Sequence, residues 1–182
     1  MNGLNFKVIT NMINKNSSTD ALAQNKISQK FLTFILDNEE YAINLLDVQE
    51  IRGSKTHIDL TTLIEAPAHI SGILCLNDQV VPVIDLRLFY HLQPLPQNES
   101  HVIIIINLHK NLFGLAVDGV VDIVELTPED IKATPTFFSI INKNYIDKIG
   151  KYKEHTLMIL NLEKFIQNSQ LNLGEHIINN TK

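Results

Sequence analysis

The chain has 182 residues and a hydrophobic content of 45%, which is enough apolar surface for one domain or two small ones. Its formal net charge is -5 at pH 7, and its scattered lysines and arginines form no basic stripe beside aromatic side chains, so no nucleic-acid partner is predicted. Cys75 is the only cysteine, which excludes an internal disulfide and predicts a reducing compartment, by default the cytoplasm.

Residues 1–28 are polar and asparagine-rich, and they predict a disordered N-terminal tail. A composition of this kind cannot bury enough apolar surface to offset the entropy of ordering. The tail also lacks the apolar core and the cleavage site of a signal peptide. The longest apolar run of the chain, Val102–Ile106, is far shorter than the roughly 20 residues of a membrane helix. We therefore expect neither secretion nor membrane insertion.

Ordered structure is predicted to begin with a β-hairpin. Phe31–Leu36 and Tyr41–Leu45 are apolar runs typical of strands, and the polar residues 37–40 between them form the turn. The next segment, Leu45–Ile51, fits both the spacing of a helical turn and the alternation of a strand. Its structure therefore stays open.

The centre of the sequence, Gly72–Arg87, predicts a second hairpin about which the chain curls into a small barrel. The polar turn 77–79 separates two apolar runs. Pro82 lies within the second run, and because proline cannot donate to a ladder we expect it at a sheet edge or a bulge. A helical turn is predicted at Leu86–Tyr90, and the proline-containing segment 93–98 predicts a linker or a crossing between subdomains.

Three further strands are predicted to run antiparallel in chain order. His101–Leu108 and Leu112–Val117 flank a polar turn, and Val120–Val124 follows the dipeptide Asp118-Gly119. Asp-Gly favours a hairpin because it tolerates positive φ at both central positions.

The last part of the chain predicts a short helix, two more strands and a terminal helix. Thr127 has the properties of a helix N-cap, followed by a proline and two acids that would face the helix dipole. Tyr145–Tyr152 and Thr156–Asn161 have the pattern of strands, and Leu162–Ser169 that of a helix. Many short strands joined by polar turns predict an all-β protein built from one or two barrels.

Few residues are candidates for catalysis. Cys75 with His69 or His101 is the one conceivable nucleophile and base, but Cys75 lies in an apolar run, where a buried, inert thiol is the expected state. The seven histidines show no close spacing of a metal site, and no glycine-rich phosphate loop is present. We therefore predict no enzyme, no metal and no cofactor.

Three carboxylates, those of Glu50, Asp85 and Asp118, could in principle serve as acid or base, but each lies beside a turn or strand end, where capping and solvation account for it.

Apolar residues near turns and strand ends favour a binding module. Val48, Val120 and Ile123 occupy such positions, where a barrel commonly presents its rim. Exposed apolar patches usually mark contact with a partner. The alternative, that each is simply a core residue, carries equal weight.

Five segments, taken in order, resemble the CheW family of chemotaxis coupling proteins. They are Phe31–Phe34, Asp37–Ile43, Val48–Gly53, Val81–Arg87 and Gly114–Asp122. The ordered series is specific although each piece alone is weak, and the resemblance covers roughly residues 31–165.

The resemblance implies an all-β fold of two intertwined five-stranded SH3-like barrels with short helices. The CheW-like domain would span residues 29–168, followed by a C-terminal tail at 169–182. The family's role is that of a scaffold that bridges the cytoplasmic tips of chemoreceptors and the regulatory domain of a CheA-like histidine kinase, without catalysis. The implied location is the cytoplasm, at membrane-bound receptor arrays.

Family positions tied to partner contact correspond to five residues of this chain. They are Val48, Glu50, Gly114, Val120 and Ile123. The aliphatic side chains would supply desolvated area, the glutamate a charge that fixes register, and the glycine room for a close backbone approach.

Two positions depart from the family pattern and indicate a divergent member. Asn77 stands where the family has an arginine expected to pair with Glu50, and Ser71 stands where it has a lysine. Glu50 would then find Arg52, Lys55 or water, which would alter coupling strength or partner choice.

Three alternative functions remain open at this point. The first is a coupling protein of a type IV pilus or twitching-motility pathway, the second a decoy that binds the kinase without receptors. The third and least favoured is a thiol-dependent enzyme that uses Cys75.

Overall fold

The computed structural model describes residues 28–53, 60–95, 102–134 and 145–169. Within these ranges the chain forms two short α-helices, α1 (Leu86–Phe89) and α2 (Leu162–Asn168), and a 3-10 turn, Leu45–Asp47. The strands are β1 Gln29–Leu36, β2 Glu39–Asn44, β3 Val48–Gly53, β4 Ile70–Leu76, β5 Gln79–Asp85, β6 Val102–Leu108, β7 Asn111–Val117, β8 Gly119–Leu126, β9 Ile131–Ala133, β10 Ile146–Tyr152 and β11 His155–Leu160. The two tails expected from the sequence lie outside the described residues, except for Ser28 and Ser169.

The strands form two sheets, one of five strands and one of six. Strands β3 to β7 make a five-stranded sheet in the order β3-β6-β7-β5-β4. Strands from both ends of the chain make a six-stranded sheet in the order β8-β1-β2-β11-β10-β9. The middle of the chain thus forms one sheet, the segments before and after it form the other, and the predicted mainly-β fold is confirmed. The six-stranded sheet gains β9, a strand that the sequence did not predict.

Both sheets have buried apolar side chains on both faces, as the run at Ile103–Ile106 illustrates for the five-stranded sheet. Side chains alternate across a strand, so neighbouring residues face opposite sides of the sheet. Ile104 and Ile106 enter the large core shared by the two sheets, whereas Ile103 and Ile105 enter a smaller core private to the five-stranded sheet. A continuous apolar run is the pattern expected of a strand covered on both faces.

The ambiguous segment after the first hairpin contains both a turn and a strand. Asn44 caps the 3-10 turn, since its side-chain oxygen accepts a hydrogen bond from the amide of Leu46 at 3.0 Å. Strand β3 then begins at Val48. Helical spacing and strand alternation both fitted the sequence because each applies to half of the segment.

The central hairpin forms as predicted, although Pro82 does not lie on an edge strand. Its turn places Asn77 and Asp78 in the left-handed region, with φ values of 47° and 64°, as the favoured two-residue hairpin turns require. Pro82 lies opposite Ile73. The amide and carbonyl of Ile73 bond outward to Thr61 at 2.9 Å, so this pair exchanges no hydrogen bonds and a proline fits. The bulge lies in β4 instead, between Ile70 and Gly72.

The predicted hairpin at Asp118-Gly119 is wrong. Strand β7 pairs with β5 and β6, whereas β8 pairs with β1 in the other sheet, so the dipeptide is a crossover between sheets. Neither residue adopts the positive φ of a hairpin turn. The side chain of Asp118 is instead bound by Arg87, and Gly119 lies opposite Ile35 at the start of the new ladder.

The helix predicted at Thr127 is also wrong. The amide of Asp130 donates to the carbonyl oxygen of Thr127 at 3.0 Å, and the Asp130 carboxylate accepts from the amide and hydroxyl of Thr127 at 2.8 and 2.7 Å. These reciprocal bonds close a single turn. The next three residues form β9, which pairs with β10 and prevents the turn from continuing as a helix.

Candidate functional site

Two of the predicted contact strands, β3 and β8, are terminal strands of their sheets. In the described part of the chain, β3 pairs with β6 alone and β8 with β1 alone. Each carries a register shift typical of a β-bulge, between Val48 and Glu50 in β3, and opposite Leu32 to Phe34 in β8. Terminal strands and bulges are where a sheet most readily meets a partner.

The bulge in β8 is held by the hydroxyl of Thr33, which is fully buried. Thr33 Oγ1 accepts a hydrogen bond from the amide of Asp122 at 3.2 Å and donates to its carbonyl oxygen at 3.3 Å. Because of the extra residue, Val120 lies opposite Phe34 and Ile123 opposite Leu32. Val120 and Ile123 therefore share one face of β8, where a regular strand would place them on opposite faces.

Val120 and Ile123 are half-buried and pack against the shared core from the terminal strand. Val121 between them is 37% exposed. We name this strand, Gly119–Leu126, the β8 edge. It combines apolar side chains that are partly accessible with a backbone that has a further strand on one side only.

Val48 and Gly114 lie inside the protein. Val48 is 6% exposed and belongs to the shared core. Gly114 is buried in β7, and a Cβ added to it would stand 3.0 Å from methyl groups of both Ile103 and Val83. The absence of a side chain at Gly114 therefore allows Ile103 and Val83 of the neighbouring strands to pack closely against β7. The side chain of Val48 anchors β3 to the shared core.

Glu50 forms a salt bridge with Arg52, which lies on the same strand. Arg52 Nε lies 2.5 Å from Glu50 Oε1, and the two side chains are 38% and 31% exposed. This pair is one of the arrangements expected for a chain without the family arginine. Asn77 itself is exposed in the β4–β5 turn, and Ser71 lies half-buried in β4, a strand at the other end of the sheet from β3.

An exposed leucine in the 3-10 turn is a feature that sequence reasoning missed. Leu46 is 85% exposed. Phe31 of β1 pairs with Asn44 on one side and Val124 on the other, so the turn and the β8 edge flank the same end of β1. The adjacent Leu45 is buried, and the sequence Leu-Leu alone does not reveal which of the two faces the core.

Charged groups surround the 3-10 turn. Burial, and then the nearby carboxylate of Glu163, raise the pKa of Asp47, while His109 acts in the opposite direction. His109 Nε2 lies 3.1 Å from Glu163 Oε1. Leu46 thus adjoins Asp47, whose carboxylate lies near that of Glu163.

Cys75 is exposed, so the expectation of a buried thiol is wrong. Its neighbours Leu74 and Leu76 face the core, and strand alternation turns Cys75 outward. His69, one of its two conceivable bases, has its Nε2 3.0 Å from the carbonyl oxygen of Ser169. His101, the other, lies outside the described residues.

The other candidate carboxylates have structural roles, as expected. Asp85 is the N-cap of α1, where its Oδ1 accepts from the amide of Leu88 at 3.1 Å. Asp118 is paired with Arg87. Over the ranges that the structure describes, no three His, Cys, Asp or Glu side chains are grouped as a metal site, and no helix is long and apolar enough to cross a membrane.

Comparisons with known proteins give consistent matches. The family model described as the CheW-like domain matches residues 30–170. "Chemotaxis protein CheW" of Klebsiella aerogenes is 34% identical over 161 residues, which cover 88% of this chain and 95% of the relative. "Chemotaxis protein CheW" of Helicobacter pylori is 29% identical over 138 residues, 76% of this chain and 81% of the relative.

A solved structure agrees with these relatives. The crystal structure of scaffolding protein TtCheW from Thermoanaerobacter tengcongensis matches with a TM-score of 0.66 and 25% identity, covering 74% of this chain and 89% of that chain. The resemblance read from the five ordered segments is thereby confirmed.

Proposed function

The chain belongs to the family of proteins with a CheW-like domain, and from this premise we propose that it couples chemoreceptors to a CheA-type histidine kinase in bacterial chemotaxis. Its relatives are named as chemotaxis proteins and, in one case, as a scaffold. The adaptor would act in the cytoplasm at receptor arrays and catalyse no reaction. The proposed unit of function is residues 29–168, with a tail on each side.

One observation carries the proposed position of the contact surface: of the three strands that hold the five predicted residues, β3 and β8 are terminal strands with a bulge. On β8 the bulge brings Val120 and Ile123 onto one partly accessible face. On β3 the half-exposed Glu50 is available to set the register of a partner. We assign kinase and receptor contact to these three residues, with Val48 and Gly114 acting from beneath as supports.

Exposed apolar residues widen the proposed surface. Leu46 and Val121 each present apolar area to solvent next to β1 or on β8. The core of a protein interface is depleted of charge, and a few well-placed apolar anchors carry most of its binding energy. The Glu50–Arg52 pair would adjust this surface, because a glutamate already neutralised within its own strand attracts a basic partner less strongly.

The test measures binding and receptor-dependent phosphorylation with the full chain. The partners are the regulatory domain of the CheA-type kinase and a receptor signalling fragment from the same organism. Leu46→Asp and Val121→Asp should each weaken kinase binding at least tenfold with an unchanged far-UV CD spectrum. Ile64→Asp is the matched control, since Ile64 is 94% exposed in the loop before β4 and lies outside the proposed surface.

The outcomes separate the proposal from its alternatives. Kinase binding without receptor-dependent activation would indicate a decoy, and activation only with receptors of a twitching pathway would indicate that pathway. If the wild-type chain bound neither partner while Cys75 reacted quickly with an alkylating probe at neutral pH, the adaptor proposal would fail in favour of thiol chemistry.

A further inference from the structure

The side chain of Arg87 contacts two residues that are far from it in sequence, Asp118 and, at 3.5 Å, the carboxylate of Asp37. Arg87 lies in α1, directly after strand β5, and its side chain is 12% exposed. Arg87 Nε and Nη2 donate to the two carboxylate oxygens of Asp118 at 2.6 and 2.7 Å. Its Nη1 donates to the carbonyl oxygen of Gln93 at 2.6 Å, where the chain leaves α1.

Asp118 extends this connection to the other sheet. Its carboxylate also accepts from the amide of Asp37 at 2.8 Å, in the turn between β1 and β2. Its own amide donates to the carbonyl oxygen of Ile35 at 3.2 Å. Asp118 is therefore bound both by Arg87 of α1, which follows the five-stranded sheet, and by the first hairpin, which belongs to the six-stranded sheet. We name Arg87 and Asp118 together the crossover pair.

The chemistry of the crossover pair makes it rigid. Two parallel N–H···O bonds between a guanidinium and a carboxylate fix both distance and plane, which a lysine ammonium cannot do. The hydrogen bond to Asp118 raises the pKa of the Arg87 guanidinium above its usual value, so the guanidinium stays charged. Asp118 is only 14% exposed, and removal of Arg87 would leave a largely buried carboxylate without its main partner.

Asp118 of the crossover pair lies one residue before the β8 edge. Gly119 begins β8 opposite Ile35, and Val120 follows opposite Phe34. We propose that Arg87 and Asp118 are positioning residues that fix where β8 enters its sheet and hence how Val120 and Ile123 meet a partner. This inference rests on the proposed adaptor function, and neither residue needs to touch the partner itself.

A purely structural role would give a different result. Suppose that the crossover pair served only to stabilise the fold. A variant that lacks it would then lose no more affinity for the kinase than a variant elsewhere in the fold with the same loss of unfolding free energy. A positioning role predicts a local effect on β8 and a loss of affinity beyond that of a stability-matched variant.

The experiment compares Arg87→Gln, Asp118→Asn, the double variant and Arg87→Lys in the full chain. Val81→Ala is the stability-matched control. Val81 is fully buried in the smaller core of the five-stranded sheet, so its truncation lowers stability, and it does not lie on β8. Amide hydrogen exchange measures β8 against β10–β11, and titration measures the Kd for the kinase regulatory domain. All variants are studied at a temperature where each remains folded by CD.

Each single variant should accelerate exchange at residues 119–123 and leave β10–β11 unchanged. The Kd should rise about tenfold, with no further loss in the double variant, because the two side chains act as one unit. Arg87→Lys should give an intermediate value, since it keeps the charge without the fork. Val81→Ala should bind like the wild-type chain.

Two results would overturn the positioning role. One is exchange at β8 that is unchanged in the variants, and the other is a Kd that tracks stability equally in the control. Failure of the wild-type chain to bind the kinase would instead count against the adaptor function. The exchange measurement on the free protein would then still decide whether the crossover pair positions β8.

Discussion

Replacing Thr33 by valine tests whether one buried hydroxyl sets the register of the β8 edge. Valine has nearly the same shape, so the change removes the hydroxyl and little else. It leaves the amide and carbonyl of Asp122 without the bonds of 3.2 and 3.3 Å that Thr33 supplies. Unsatisfied buried groups cost about 1–3 kcal/mol, and since Asp122 is only half-buried we expect about 2 kcal/mol.

The assay is urea unfolding together with a thermal scan. For a chain of this size a loss of about 2 kcal/mol corresponds to a fall in Tm of roughly 4–8 °C. Thr33→Ser keeps the hydroxyl and should retain the bulge, and Thr156→Val, at the exposed start of β11, is a control that should change stability by less than about 0.5 kcal/mol. Amide exchange at Val120–Ile123 should rise in Thr33→Val alone. Unchanged stability and unchanged exchange in Thr33→Val would refute the role of Thr33 in the bulge.

Three further predictions concern single side chains. Tyr90→Phe should raise the unfolding free energy by about 1 kcal/mol in chemical denaturation, because the buried hydroxyl has no hydrogen-bond partner in the described part of the chain; a loss would mean that the hydroxyl is satisfied after all. Gly114→Ala should cost about 1–3 kcal/mol, since its new methyl would stand 3.0 Å from methyl groups of Ile103 and Val83, and a neutral result would show that β7 relaxes freely. Burial raises the pKa of Asp47 in the folded state. Ionised Asp47 therefore lowers the unfolding free energy at pH values above this raised pKa. The effect vanishes at pH values below the pKa of the unfolded chain, near 3.8, where the side chain is protonated in both states. Asp47→Asn should therefore gain a few tenths of a kcal/mol at pH 7 and nothing near pH 3, as a pair of urea titrations would show, and an equal gain at both values would exclude the ionic explanation.

The fold could be predicted from the sequence where local chemistry and tertiary context agree. Apolar runs and polar turns located the hairpins at residues 31–45 and 72–87, because strand alternation and turn propensity act over a few residues. The same reasoning failed at Asp118-Gly119, whose dipeptide favours a hairpin. In the structure Arg87, 31 residues earlier, binds the aspartate, and β8 pairs with β1 in the other sheet, contacts between distant segments that the dipeptide alone does not reveal.

Burial of individual site residues was harder to predict. Val48 and Ile123 have the same apolar character and were both expected beside turns or strand ends, yet Val48 belongs to the buried core and Ile123 lies half-buried on a terminal strand. Which strand ends a sheet depends on pairings between distant segments, such as β8 with β1. The exposed Leu46 was missed for the same reason, since the face of a single 3-10 turn is set by what packs against it.

Backbone amide exchange of the full chain with and without the kinase regulatory domain tests the central claim most directly. The proposed contact surface predicts slower exchange on binding at the β8 edge and in the 3-10 turn around Leu46, with little change along β10 and β11. Protection confined to β10 and β11, with β8 unaffected, would contradict it.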